Sequence, residues 1–137
     1  MGVLERARSG LCSFGLNLSI MDPVLLEIAK AAGYDFVRLD CEHILFDDRT
    51  VSEMLRIGRL LDLDVQVRVP DLTRVTALLD NGAQGIMAPH IESREEVWEA
   101  EKAVKYPPKG ERGLTGAARV LGYGRQDVAA YQKQANR

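Results

Sequence analysis

The feature that most constrains this chain is a pattern met four times in succession: a short apolar run, a tight turn, and a segment with helical spacing. Leu11 to Leu18 is apolar and bounded by glycines, and reads as a strand. Asp22-Pro23 supplies an N-cap with proline at the first helical position; Val24 to Ala32 continues as a helix, which Gly33 closes. Asp35 to Asp40 is the second strand. Thr50 to Leu61 then carries Val51, Met54, Leu55, Ile57 and Leu61 at the spacing of one helix face. Val65 to Val69 is the third strand, and Leu72 to Leu79 the third helix, stopped by Asn81-Gly82. Gln84 to Ala88 is the fourth strand, and Ser93 to Val104 the fourth helix, with Ser93 and Glu96 spaced as a capping box.

Strands alternating with helices over short connections predict a parallel sheet with right-handed crossovers. After Val104 the pattern stops. Tyr106 to Gly113 is a proline- and glycine-rich loop, followed by helical stretches at Ala117 to Leu121 and Asp127 to Gln134. A closed (β/α)8 TIM barrel needs about 250 residues. The 137 residues therefore predict one domain, 1–137: an α/β fold holding the first four βα units of such a barrel, plus C-terminal helices. Four units alone are expected to leave an open sheet edge on each side and an apolar inner face, which favours self-association.

Charge and composition narrow the function classes. A net charge of -2 argues against nucleic acid as the main partner, because neutralising phosphates needs a basic face. No apolar run approaches the roughly 18 residues of a membrane span. The N-terminal octapeptide from Met1 to Arg8 contains an acid and no apolar h-region, so the cytoplasm is the expected location. Cys12 and Cys41 are too few for a disulfide framework and have no C-x-x-C partner. The Gly110 to Gly116 segment lacks phosphate-loop spacing, which argues against nucleotide binding.

In a parallel βα-repeat, chemistry collects at the carboxyl ends of the strands. Asp40-Cys41-Glu42-His43 and Val67-Arg68-Val69-Pro70 fall there. Side chains alternate along a strand, so Asp40 and Glu42 share a face with Arg38, and the tetrad does not converge on one metal ion. His43 is placed either to act as a general base, with a pKa near working pH, or to hydrogen-bond its own loop. Arg68, in a strand of valines, needs an anionic partner. A carboxylate such as Glu42 would serve, as would the carboxylate and keto oxygen of a substrate, which suit its planar fork. Asp80 either terminates a helix or accepts the second N–H of His43 and orients it. His90, after Pro89, is a residue of the mouth.

Taken together, Gly33-Tyr34-Asp35-Phe36-Val37, Asp40-Cys41-Glu42-His43, Val67-Arg68-Val69-Pro70, Leu79-Asp80-Asn81-Gly82-Ala83, Pro89-His90 and Tyr106-Pro107-Pro108-Lys109-Gly110-Glu111-Arg112-Gly113 resemble the HpcH/HpaI aldolases, the metal-dependent class II pyruvate aldolases. The likeness runs over nearly the whole chain, with the motifs in order. It implies a (β/α)8 barrel that breaks or forms a carbon–carbon bond next to a 2-oxo acid such as pyruvate, with an aldehyde as the other substrate, in a homo-oligomer. It further implies a divalent metal, Mg or Mn, that stabilises the enolate. Carried over, His43 is the acid/base group, Asp80 its carboxylate partner, and Arg68 the guanidinium on the 2-oxo acid or enolate oxygen.

Three departures stand out. Ile44 replaces a small residue after the Glu-His pair, and the connection from Arg68 to Asp80 is short. The family's metal-binding Glu and Asp come from later strands, past Arg137, so this chain is expected to hold no metal ligands and to be inactive alone. The competing readings are a non-catalytic half-barrel serving assembly, and a related lyase acting on a citrate-like or acyl-CoA substrate.

Overall fold

A computed structural model describes residues 2–137; Met1 lies outside the described residues. Four parallel strands form one sheet in the order β1-β2-β3-β4. They are β1 (Gly15–Leu18), β2 (Phe36–Asp40), β3 (Asp64–Arg68) and β4 (Gly85–Met87). The connecting helices are α2 (Pro23–Ala31), α3 (Asp48–Leu60) and α4 (Val75–Asn81), and α5 (Arg94–Val104) follows β4. An additional helix, α1 (Val3–Arg8), precedes the sheet, and α6 (Val128–Ala135) ends the chain. The fold is the expected partial α/β arrangement of four βα units.

Local chemistry sets the helix starts. Asp22 accepts from the Val24 N–H at 3.0 Å ahead of Pro23, and Asp47 accepts from the Thr50 N–H at 3.0 Å. Ser93 and Glu96 form the reciprocal capping box, Glu96 Oε2 accepting from the Ser93 N–H at 2.9 Å and Ser93 Oγ from the Glu96 N–H at 3.2 Å. Two expected elements are shorter than their patterns. Residues Leu11 to Phe14 are tied elsewhere: Arg6 Nη2 donates to the Cys12 carbonyl at 2.7 Å, and the Phe14 N–H to Asp35 Oδ2 at 2.8 Å. Helix α4 starts at Val75 because Asp71 takes the Thr73 N–H at 2.8 Å and turns the chain first. The stretch expected to be helical at Ala117 to Leu121 is a single 3-10 turn, Arg119–Leu121.

The two sheet faces differ in kind. Leu18, Val37, Leu39, Val65 and Val67 point toward the helices and are buried with Leu26, Met54, Leu55 and Val75, forming the core. The opposite, concave face carries Asn17, Phe36, Arg38, Asp40, Gln66 and Arg68. This corrects the expectation of an apolar inner face: the apolar residues of each strand face the helices, and the inner row is mostly polar. Gly15 lies beside Phe36 in this row, and a Cβ there would collide with the Phe36 ring. At the amino ends of the strands α1 closes the fold, its Val3 N–H donating to Asp64 Oδ2 at 2.8 Å.

Candidate functional site

The site is assembled by strand register. Asp40, the last residue of β2, lies opposite Arg68, the last residue of β3. Their side chains form a two-point pair, Arg68 Nε to Asp40 Oδ1 at 3.0 Å and Nη2 to Oδ2 at 2.5 Å. Asp40 Oδ1 also accepts from the N–H groups of Glu42 and His43, both at 3.2 Å. One buried carboxylate thus fixes both the guanidinium and the turn that carries His43. The hydrogen-bonded Arg68 side chain holds the Asp40 carboxyl down at about 2; burial opposes this, and the His43 and Glu42 N–H groups assist it.

Glu42 is the second hub. It is only 11% exposed, and three basic groups surround its carboxylate. Oε1 lies 2.9 Å from His90 Nε2, and Oε2 lies 3.3 Å from Arg68 Nε and 3.5 Å from His43 Nε2. The imidazoles are open to solvent, His43 at 64% and His90 at 79% exposure, so both reach the space above the strand ends. His90 adopts a left-handed backbone, φ 56°, just after Pro89, and this turns its ring back over β2. Cys41, between these groups in sequence, is half-buried, and burial pushes its thiol up.

The structure brings His43 and Arg68 together at the carboxyl end of the sheet, as expected of strand-end residues. It does not bring Asp80 to them. Helix α4 runs back toward the amino ends of the strands and finishes shortly before β4 begins at Gly85, so Asp80 lies toward the far end from His43. There Asp80 Oδ1 accepts from Arg112 Nη2 at 2.7 Å, and the carboxylate beside His43 is Glu42. Sequence reasoning gave Asp40 and His90 no such part. The Asp40–Arg68 pairing depends on register, and the Glu42–His90 contact joins residues 48 apart through a positive-φ turn.

The described residues do not supply the divalent-metal site. No group of three or more His, Cys, Asp or Glu side chains among them is disposed to hold an ion. Both carboxylates at the mouth are engaged by Arg68, whose charge opposes a cation there.

The family model described as HpcH/HpaI aldolase/citrate lyase matches residues 13–130. A 4-hydroxy-2-oxovalerate aldolase of Rhodococcus jostii is 36% identical over 119 residues, covering 85% of this chain and 46% of that protein. A hydroxypyruvate/pyruvate aldolase of Paraburkholderia phytofirmans is 39% identical, covering 81% of this chain and 46% of its own length. The crystal structure of an HpcH/HpaI aldolase from Desulfitobacterium hafniense superposes with a TM-score of 0.89 at 29% identity, over 98% of this chain and 53% of that one. The chain spans about half the length of the curated relatives it matches.

Proposed function

The chain belongs to the HpcH/HpaI aldolase/citrate lyase family, and on that premise we propose that its strand-end cluster is half of the active site of a carbon–carbon lyase acting next to a 2-oxo acid such as pyruvate. One observation carries the reading: Asp40 occupies Nε and Nη2 of Arg68, which leaves Nη1 outside the pair, and the exposed His43 imidazole shares the Glu42 carboxylate with the same guanidinium. A fixed guanidinium with a spare donor suits an oxyanion, and the neighbouring base suits a proton transfer.

In the cleavage direction His43 takes the proton of the hydroxyl on the carbon that becomes the aldehyde. The carbon–carbon bond breaks, its electrons pass to the 2-oxo acid fragment, and Arg68 stabilises the resulting enolate oxygen. Protonation at carbon completes the 2-oxo acid. Asp40 and Glu42 position these two groups. The residues present do not fit a divalent Mg or Mn ion, and no step here runs through one. The aldehyde partner, a homo-oligomeric state and a cytoplasmic location belong to the same reading. It is supported by relatives named as aldolases, which favour it over a non-catalytic assembly module. No helix among the described residues is long and apolar enough to cross a membrane.

The test uses this chain joined to the remaining barrel length of its relatives. Arg68→Ala is expected to abolish decarboxylation of oxaloacetate and proton exchange on pyruvate. His43→Ala is expected to slow aldol cleavage by roughly 10²–10⁴. Unchanged cleavage in the His43 variant removes the imidazole from the mechanism.

A further inference from the structure

Three strand ends meet at Glu42, and the contribution of β4 arrives from furthest away. The sheet order is β1-β2-β3-β4, so the end of β3 lies between the turn that carries Glu42 and the turn that carries His90. Two strand spacings of about 4.8 Å set those turns about 10 Å apart. The left-handed backbone of His90, φ 56°, directs its ring across that gap. There the Nε2–H donates to Glu42 Oε1 at 2.9 Å. A non-glycine residue in this conformation carries a steric cost, and such costs collect where a side chain must be aimed.

The two oxygens of Glu42 have different neighbours. Oε1 faces His90, while Oε2 faces Arg68 Nε at 3.3 Å and His43 Nε2 at 3.5 Å. Arg68 already gives Nε and Nη2 to Asp40, at 3.0 and 2.5 Å. A carboxylate gains by placing both oxygens on a guanidinium, so Arg68 tends to turn Glu42 toward itself. The bond from His90 opposes that turn. It fixes Oε1 on the β4 side and leaves Oε2 facing the His43 ring.

This orientation matters at one step of the reaction. When His43 takes the substrate's hydroxyl proton its imidazole becomes cationic, and a carboxylate fixed beside the ring stabilises that charge. A carboxylate that can swing away is misplaced at the moment of transfer, and a misplacement of about 1 Å can cost up to about 10² in rate.

We infer that His90 is a positioning residue for proton transfer: it sets the Glu42 carboxylate beside His43. The inference rests on the carbon–carbon lyase reading and extends it to the loop after β4. His90 therefore serves the step that needs a base, aldol cleavage. Decarboxylation of oxaloacetate has no hydroxyl proton to remove and depends on Arg68, so it draws little on His90.

The experiment compares these two reactions in the chain joined to the remaining barrel length of its relatives. His90→Gly keeps the left-handed turn without strain and removes the ring. It is expected to lower kcat for aldol cleavage about tenfold or more, with KM within about twofold and oxaloacetate decarboxylation within about threefold. His90→Gln, whose amide N–H can reach Oε1, should recover cleavage to within about threefold of wild type. Adding Glu42→Gln to His90→Gly should cost less than the product of the two single losses, because both act through one contact. Wild-type cleavage in His90→Gly overturns the inference, as does an equal loss of both reactions or a fully multiplicative double variant. In each of these cases an inactive Arg68→Ala leaves the lyase reading standing. Full decarboxylation in Arg68→Ala overturns both.

Discussion

Two arginine–aspartate pairs in this molecule use the same functional groups for opposite ends. At the carboxyl end of the sheet Arg68 pairs with Asp40, stays 27% exposed and keeps a donor outside the pair. Away from that mouth Arg112 pairs with Asp80, is 3% exposed and lies over the Tyr106 ring at 4.5 Å. Around the second pair everything is closed. Tyr106 is buried deeply enough to push its hydroxyl up to about 12, and its backbone N–H and carbonyl both bond the side chain of Asn136, at 2.8 and 3.0 Å. A Cβ at Gly110 would strike the carbonyls of Lys105 and Lys102, so the Tyr-Pro-Pro-x-Gly-x-Arg-Gly segment closes on the end of α5. Residue identity does not separate a working arginine from a fastening one. What separates them is whether the fork is left with a free tooth and room in front of it.

The comparison breaks most readily at Asp80. Asp80→Ala strands the buried Arg112 charge and is expected to cost about 3–5 kcal/mol in urea unfolding. A loss below about 1 kcal/mol would mean that Arg112 rehydrates and the clasp is not closed.

The mouth pair should show a smaller effect, read through acid. The folded Asp40 carboxyl titrates at about 2 against an ordinary 3.8, so the folded state binds fewer protons between these values. Its contribution is complete above about pH 4 and fades as the pH falls through about 2. The expected size is about 2 kcal/mol, and Asp40→Asn should flatten that part of the stability profile. A profile with the same acid slope in both proteins would show that Arg68 does not hold Asp40 in solution.

His90→Gln should have the smallest effect. The ring is 79% exposed, so the urea midpoint should shift by no more than about 0.5 kcal/mol equivalent. A larger loss would make the Glu42–His90 contact a fastening of the second kind.

The legible and illegible parts of this molecule divide by distance along the chain. Asp22-Pro23, Ser93 with Glu96, and Asn81-Gly82 act within a turn of themselves, and each helix boundary they announce is present within a few residues. Helix α1 went unread because its first N–H is satisfied by Asp64, 61 residues away. His43 and Arg68 were legible as strand-end residues, since their position follows from the βα alternation alone. Of their partners only Glu42 was legible, as a carboxylate for Arg68, and it lies 3.3 Å from the Arg68 Nε. Whether Arg68 meets Asp40 depends on β2–β3 register, and whether Asp80 meets His43 depends on the direction in which α4 returns. The polar concave face was missed for a related reason: alternation in β2 and β3 identifies two faces, and which one the helices cover is decided by packing.

The alternation along β3 also makes the sheet self-proofreading. A slip of β3 by one residue against β2 would turn Arg68 into the helix-covered core and bring a valine, Val67 or Val69, opposite Asp40. On the apolar side the same slip turns Val65 and Val67 out of the core that they form with Val37 and Leu39. On the polar side it strands a carboxylate and buries a guanidinium together, and a misaligned sheet is penalised by several kcal/mol before any substrate arrives. The ion pair that holds the mouth therefore acts as a lock on alignment, and a chain that folds out of register loses its stability and its active-site geometry in the same event.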